Sequence, residues 1–284
     1  MSRRTLRDRE NLLEDAVGDL ARAAHASAVE RVVATMRERL GEALTLQDLA
    51  DVAHLSPYYF ARVFRDMTGI PPAEYLAALR VQEAKRLLLT TQASVTDVCF
   101  EVGYTGLGTF TARFARLVGV SPGRLRRRAE DVDGLVAGAP PYGAGGGGAA
   151  AAGGGVNGGV GGVVHAPDTA RGLIFVGLFP TPIPQSTPVG SALLDGPGAY
   201  HIPCVPDGRY YALAAAFPPT ARGLAYLVPG DGLRVGAARA PVTVRGGRAR
   251  VRAGIVVRPP RPTGPPLLVA LPFLLVGHQR PAHD

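Results

Sequence analysis

Among the side chains of this sequence that could do chemistry, one cluster combines arginine and aromatic groups: Ser56, Tyr58, Arg62 and Arg65, within the segment Ser56–Gly69. Phe60, Val63, Phe64 and Met67 recur at spacings of three and four, which gathers them on one buried face of a helix and turns Tyr58, Ala61, Arg62 and Arg65 outward. A short helix that exposes aromatic and arginine side chains can read DNA. The residues for other chemistries are not arranged for them. Asp97 and Glu101 are carboxylates four apart, but at a helix start such a pair serves as a cap and a solvated neighbour. His54, His165, His201 and His278 have no metal-ligand spacing, and no Ser/His/Asp arrangement is recognisable. No enzyme activity, cofactor or metal is therefore expected. Cys99 and Cys204 stand far apart without a Cys-x-x-Cys spacing, which suits a reducing cytoplasm better than a disulfide framework or a zinc site.

The elements that must position the arginine cluster come in two similar copies. Thr45-Leu-Gln-Asp48 is a capping-box pattern that starts a helix with Leu46, Leu49, Ala50 and Ala53 as its apolar face. The residues around His54-Leu55-Ser56 then separate it from the Tyr58 helix, and two short helices so joined read as a helix-turn-helix. About fifty residues later Ser94-Val-Thr-Asp97 repeats the capping box, with Val98, Cys99 and Val102 answering Leu49, Ala50 and Ala53. After one inserted residue, Phe110, Phe114, Gly119, Val120 and Pro122 answer Phe60, Phe64, Gly69, Ile70 and Pro72. Between the copies, Pro72 to Thr90 opens with Pro, has no internal Pro or Gly, and carries Leu76, Leu79, Ala84, Leu87 and Leu88 at helical spacing. Such a helix spans roughly 30 Å, close to the ~34 Å between successive major grooves on one face of a duplex. One chain could thus occupy two adjacent grooves.

These residues resemble the AraC/XylS family of bacterial transcription regulators. The resemblance covers about residues 28 to 128 and rests on Leu49-Ala50, the Ser56–Gly69 helix, Ala84-Lys85-Arg86-Leu87-Leu88, Val102-Gly103-Tyr104, Phe110 with Phe114, and Gly119-Val-Ser-Pro122. It implies sequence-specific binding of double-stranded DNA and control of transcription, with RNA polymerase as a further partner. It places the base-reading positions of the first unit on Tyr58, Ala61 and Arg62. Arg62 offers a bidentate fork to guanine O6 and N7, Tyr58 a ring for a thymine methyl or a hydroxyl for a phosphate, and Ser56 a phosphate contact at the helix start. The alternative for Arg62 is a surface pair with Asp66. In the second unit the equivalent positions fall on Leu107, Gly108 and Ala112, none of which makes a bidentate contact. Either a rotated helix brings Arg113 to the groove, or the unit holds phosphates through Thr105, Thr109, Thr111 and Arg116, which is the preferred reading.

The rest of the chain sets the domain plan. Residues 1–27 read as a charged tail or marginal helix, or as a basic arm, Arg3-Arg4-Thr-Leu-Arg7, laid on phosphates. A helix from about Ala28 to Leu40 follows, with Val29, Val32, Val33, Met36 and Leu40 as its stripe. Residues 28–130 form the DNA-binding domain, closed by Ser121 to Arg128, where Arg124 and Arg126 belong to a run suited either to a phosphate backbone or to a solvated end. Residues 137–162 are Gly/Ala-rich and read as a flexible linker.

Residues 163–284 change to extended patterns: 172–179, 199–205, 209–217, 241–245 and 248–257, bounded by Pro, Gly and Asp, with an irregular Pro-rich end. The expected fold class is multidomain, an all-α tandem helix-turn-helix domain followed by a Gly-rich linker and a small all-β, sandwich-like domain. Gly198 to Ala214 is similar to a hairpin of carboxypeptidase-regulatory or transthyretin-like sandwiches. This region is where a small-molecule effector or homodimerisation would act, and the rival reading of the chain makes it chiefly such a ligand-sensing or dimerisation module, with DNA binding secondary.

Net charge is +8, but residues 1–130 hold 19 Lys+Arg against 16 Asp+Glu, while residues 163–284 hold 12 Arg against 5 Asp. Total charge therefore does not locate a nucleic-acid footprint, and positions matter more. Leu267–Val276 is apolar but too short to span a bilayer and is broken by Pro272, and the start of the chain lacks the apolar core of a secretory signal, so the expected location is cytoplasmic, without membrane contact.

Overall fold

The computed structural model describes residues 3–129, 159–167, 172–228, 230–249 and 252–269. They fall into two compact units. One runs to Leu79 and takes in Pro262–Gly264; the other begins at Arg80 and includes the strands. The division lies inside a helix rather than at the Gly/Ala-rich stretch, of which residues 137–158 lie outside the described residues.

The first unit holds α1 (Arg3–Glu38), α2 (Leu46–Ala53), α3 (Pro57–Thr68) and the start of α4 (Pro72–Thr90). The tail and the helix expected separately at residues 1–27 and 28–40 are one helix, α1, ending two residues earlier. Nothing between Arg3 and Glu38 forces a break: there is no proline, and the single Gly18 costs only about 1 kcal/mol relative to alanine. An Asp19–Arg22 pair at 2.7 Å spans one turn on its surface. Val29, Val32, Val33 and Met36 are buried where α1 packs on α2 and α3.

At the start of α2, the Asp48 N–H donates to Thr45 Oγ1 (3.2 Å) and the Thr45 N–H donates to Asp48 Oδ2 (2.8 Å), so the capping box satisfies two end donors at once. His54 turns the chain in the left-handed region at φ 57°. Two residues assigned to apolar stripes are exposed: Leu46, in the first turn of α2, at 44%, and Met67, one residue from the end of α3, at 45%. At the ends of short helices the stripe outruns the neighbours it packs on. Tyr75, on α4, closes this core against Phe64 (5.3 Å, edge-on) and donates from its hydroxyl to the Gly264 carbonyl at 2.8 Å.

The second unit repeats the device. α5 (Val95–Glu101) starts with the Ser94/Asp97 capping box, Gly103 (φ 83°) stands where His54 did, and α6 (Leu107–Val118) ends at Gly119 (φ 91°) as α3 ends at Gly69 (φ 77°). The two copies are built on the same aromatic contact: Phe60 with Phe64 at 5.5 Å and Phe110 with Phe114 at 5.7 Å. α7 (Pro122–Arg128) follows.

Lys85, on the second half of α4, is only 1% exposed, and its Nζ donates to the carbonyls of Leu267 (3.0 Å) and Leu268 (3.3 Å). Burial pushes its ammonium down to about 7. Leu268 and Val269 are themselves buried and donate from their backbone to the Pro184 carbonyl, while the Ser186 N–H donates to the Leu117 carbonyl of α6 at 2.6 Å. The strand-bearing part and the second helix-turn-helix thus share one compact unit.

Its strands form two sheets. In one, β1 (Val160–His165) lies between β4 (Gly198–Ile202), antiparallel, and β9 (Ile255–Val256), parallel. In the other, the order is β3 (Gly190–Leu194), β2 (Ile174–Phe179), β5 (Gly208–Ala216), β7 (Val242–Arg245) and β8 (Arg248–Ala249), all antiparallel, with β6 (Arg234–Ala237) also on β5. A single core draws Val160, Val164, Tyr200 and Ile202 from the first sheet and Ile174, Val176, Ala212, Ala214, Val242 and Val244 from the second.

Three expectations are corrected here. The Gly-rich stretch was to run to residue 162, but its last three residues begin β1; Gly162 is needed there because a Cβ would collide with the Ala253 carbonyl oxygen. The segment Gly198 to Ala214 is not a hairpin, since β4 and β5 belong to different sheets and the Pro206-Asp-Gly208 turn passes the chain between them. Residues 248–257 hold two short strands, β8 and β9, in place of one; Arg248 in β8 and Arg252 ahead of β9 are exposed, while Arg250 lies outside the described residues. Asp207 accepts from the N–H groups of Gly246 and Gly247 (2.9 Å each), tying the β7–β8 turn to the head of β5.

Candidate nucleic-acid interface

The apolar side of α3 disappears into the first unit through Phe60, Val63 and Phe64, so its opposite side faces solvent. Tyr58 is 84% exposed, Arg62 and Arg65 are exposed, and Ala61 is half-buried. Ser56 is exposed and caps α3 without a side-chain cap bond, so its hydroxyl is not engaged there, at a helix start where an anion is favoured. Arg62 makes no ion pair with Asp66. Its Cζ sits 5.0 Å from the centroid of the Tyr59 ring, a cation–π arrangement. Tyr59 is packed inward, its ring edge-on to His25 of α1 at 5.7 Å and its hydroxyl 3.2 Å from His25 Nε2. Spacing could not reveal this support, because His25 lies 34 residues from Tyr59.

On α6, Leu107, Gly108 and Ala112 are exposed and offer no hydrogen-bonding side chain; with Phe110 matched to Phe60, Gly108 and Ala112 stand where Tyr58 and Arg62 do, and Thr111 stands where Ala61 does. Thr105, Thr109 and Arg116 are exposed around them, and Thr111 is half-buried. Arg113 points back into the fold. It is half-buried, and its Nε is fully covered and unpartnered, as is the Tyr104 hydroxyl beside it. Burial pushes Tyr104 up, partly offset by Arg113 and Arg80, and burial lowers Arg80, with Arg113 adding to the fall. Arg124 on α7 is exposed, but Arg126 is directed inward and donates to the carbonyls of Leu88 (3.0 Å) and Ala93 (2.6 Å). The described surface therefore brings Ser56, Tyr58, Arg62 and Arg65 together on α3 and Thr105, Thr109 and Arg116 around α6. Arg113 and Arg126 turn inward. Among the described residues, no group of three or more His, Cys, Asp or Glu could hold a metal ion, and no helix is long and apolar enough to cross a membrane.

Two capped helix pairs, each with a left-handed turn before an outward-facing second helix, define a tandem helix-turn-helix protein. The family model described as "Helix-turn-helix domain" matches residues 49–128. Residues 49–128 belong to the AraC-type helix-turn-helix family. The chain is 37% identical over 95 residues to the uncharacterized HTH-type transcriptional regulator YobQ of Bacillus subtilis (34% of this chain, 39% of that protein). It is 35% identical over 101 residues to the RCS-specific HTH-type transcriptional activator RclR of Escherichia coli (36% of each). Among solved structures it is similar to the DNA-binding domain of AdpA, a global transcriptional factor, in complex with a target DNA: 36% identity, 36% of this chain, 94% of that one, TM-score 0.35. The chain spans less than half the length of the curated relatives named here.

Proposed function

We propose that this chain is a sequence-specific, double-stranded DNA-binding regulator of transcription that reads bases with α3 and grips the backbone with α6. The observation that carries the reading is the exposed Tyr58/Arg62 pair on the outward side of α3, within an AraC-type domain. The names of the relatives, a transcriptional regulator and a transcriptional activator, support it. α4 is unbroken over 19 residues, about 28 Å at 1.5 Å per residue, which suits two helices serving successive major grooves. Arg62 reads a guanine through its planar fork; Thr105, Thr109 and Arg116 hold phosphates, together with Arg124. In this reading residues 28–130 are the DNA-binding domain, RNA polymerase is the machinery acted on, and the protein is cytoplasmic; the two sheets sharing one core among the described residues support reading the strand-bearing part as a sandwich-like module.

Sequencing the DNA fragments that the purified full-length protein retains from a random pool tests this. A defined motif is expected. Arg62→Ala should relax one base position, at a cost of about 1–3 kcal/mol for the preferred base. Arg116→Ala should weaken all sequences alike and reduce the salt slope by about 1. No enriched motif, or equal loss of selectivity from both changes, would overturn the assignment.

A further inference from the structure

Resting on that reading, the geometry points to Tyr59 and His25 as positioning residues for base selection: together they form a platform that holds the Arg62 guanidinium in the orientation that reads the base. An exposed arginine ordinarily samples many rotamers, and ordering it on a base costs side-chain entropy each time it binds. Arg62 differs because its guanidinium lies over the Tyr59 ring, with Cζ 5.0 Å from the centroid. The ring is not free to follow it. Tyr59 is held in turn by the His25 ring, edge-on at 5.7 Å and 66°, and by the 3.2 Å hydrogen bond between its hydroxyl and His25 Nε2. His25 belongs to α1, which is fixed through Val29, Val32 and Val33 against α2 and α3. The chain of contacts therefore runs from the core of the unit through α1, His25 and Tyr59 to the tip of α3. An ordered platform of this kind makes the fork available for the matching base and leaves less freedom to adapt to a wrong one. Its contribution falls on affinity for the matching base, and through that on discrimination, and leaves the salt-dependent grip on the backbone unchanged, because Tyr59 and His25 add no phosphate contact.

The test is a cycle in full-length protein, with affinities for the selected site and for the same site changed at the base that Arg62 reads. Tyr59→Leu should lower the ratio of the two affinities by about 2- to 5-fold, the fold-change expected for an exposed cation–π contact. Tyr59→Phe, which keeps the ring, should retain most of the ratio, and His25→Ala should fall between them. In an Arg62→Ala background Tyr59→Leu should change the ratio no further, with the salt slope unchanged throughout. An undiminished ratio in Tyr59→Leu, or an equal drop in both backgrounds, would overturn the platform. Should Tyr59→Leu not fold, His25→Ala in the same cycle decides the matter by the same criteria. The outcome is separable from the functional reading, which fails when wild-type protein itself shows no preference between the two sites, whatever Tyr59→Leu does.

Discussion

Replacing Lys85 by methionine tests the most unusual buried group in the second unit. The side chain is 1% exposed, has two carbonyls as partners, and has no carboxylate beside it in its contacts, so burial alone lowers its ionisation from 10.5 to about 7. Between those values the unfolded chain holds the proton and the folded chain does not. Stability therefore rises with pH across that window, with a slope of at most about 1.4 kcal/mol per pH unit, and is flat below it, where both states are protonated. Integrated from pH 7 to pH 10, the rise is on the order of 3 to 4 kcal/mol. Methionine has nearly the same length and no proton to lose. Urea unfolding followed by circular dichroism at several pH values should give a difference between wild type and Lys85→Met that shifts by that amount in favour of wild type as pH increases. At neutral pH the variant gains by removal of the buried charge and loses about 1–3 kcal/mol for each carbonyl left unpaired. Because Lys85 is the only lysine in the sequence, isotope-labelled lysine gives a single resonance whose titration midpoint reads the value directly. Parallel stability profiles for the two proteins, or a midpoint near 10.5, would refute the burial argument.

Removal of either capping box should destabilise its helix: Thr45→Ala and Ser94→Ala are each expected to cost about 1 kcal/mol in urea unfolding. Asp48 and Asp97 are held below the ordinary carboxylate value of 3.8, first by the side-chain bond from Thr45 or Ser94 and then by the backbone one. Their contribution is complete at neutral pH and fades as pH falls through the lowered values, so Asp48→Asn with Asp97→Asn should flatten the acid limb of the stability profile. Gly162→Ala should destabilise the strand-bearing part by about 1–3 kcal/mol, since the new methyl meets a backbone carbonyl that cannot rotate away; thermal melting should show the loss.

The helical half was readable because its instructions are local. Thr45/Asp48, Ser94/Asp97 and the Phe60/Phe64 and Phe110/Phe114 pairs act over three or four residues, and each is found where periodicity put it. What escaped was set by distant partners. Arg126 is drawn to carbonyls 33 and 38 residues earlier, and Lys85 to carbonyls 182 and 183 residues later. No spacing rule reports these. β1, β3 and β6 escaped for another reason: their glycine and alanine content weakens the alternation by which strands are recognised, and β1 accepts glycine where another backbone comes close. β4 and β5 carry good strand signals, yet their assignment to separate sheets depends on pairing with β1 and β2, which the turn between them does not encode.

The matched aromatic supports beneath two dissimilar tips have a consequence for the layout of a target. A scaffold copied with its caps and its phenylalanines, but carrying tyrosine and arginine on one tip and leucine and glycine on the other, has no twofold symmetry within a single chain. A lone molecule seated on a duplex would point one way along it. Its preferred site would then be a directional word, spelled at one end and only spaced at the other, so that reversing the site on the chromosome would turn the rest of the protein to face the opposite neighbour.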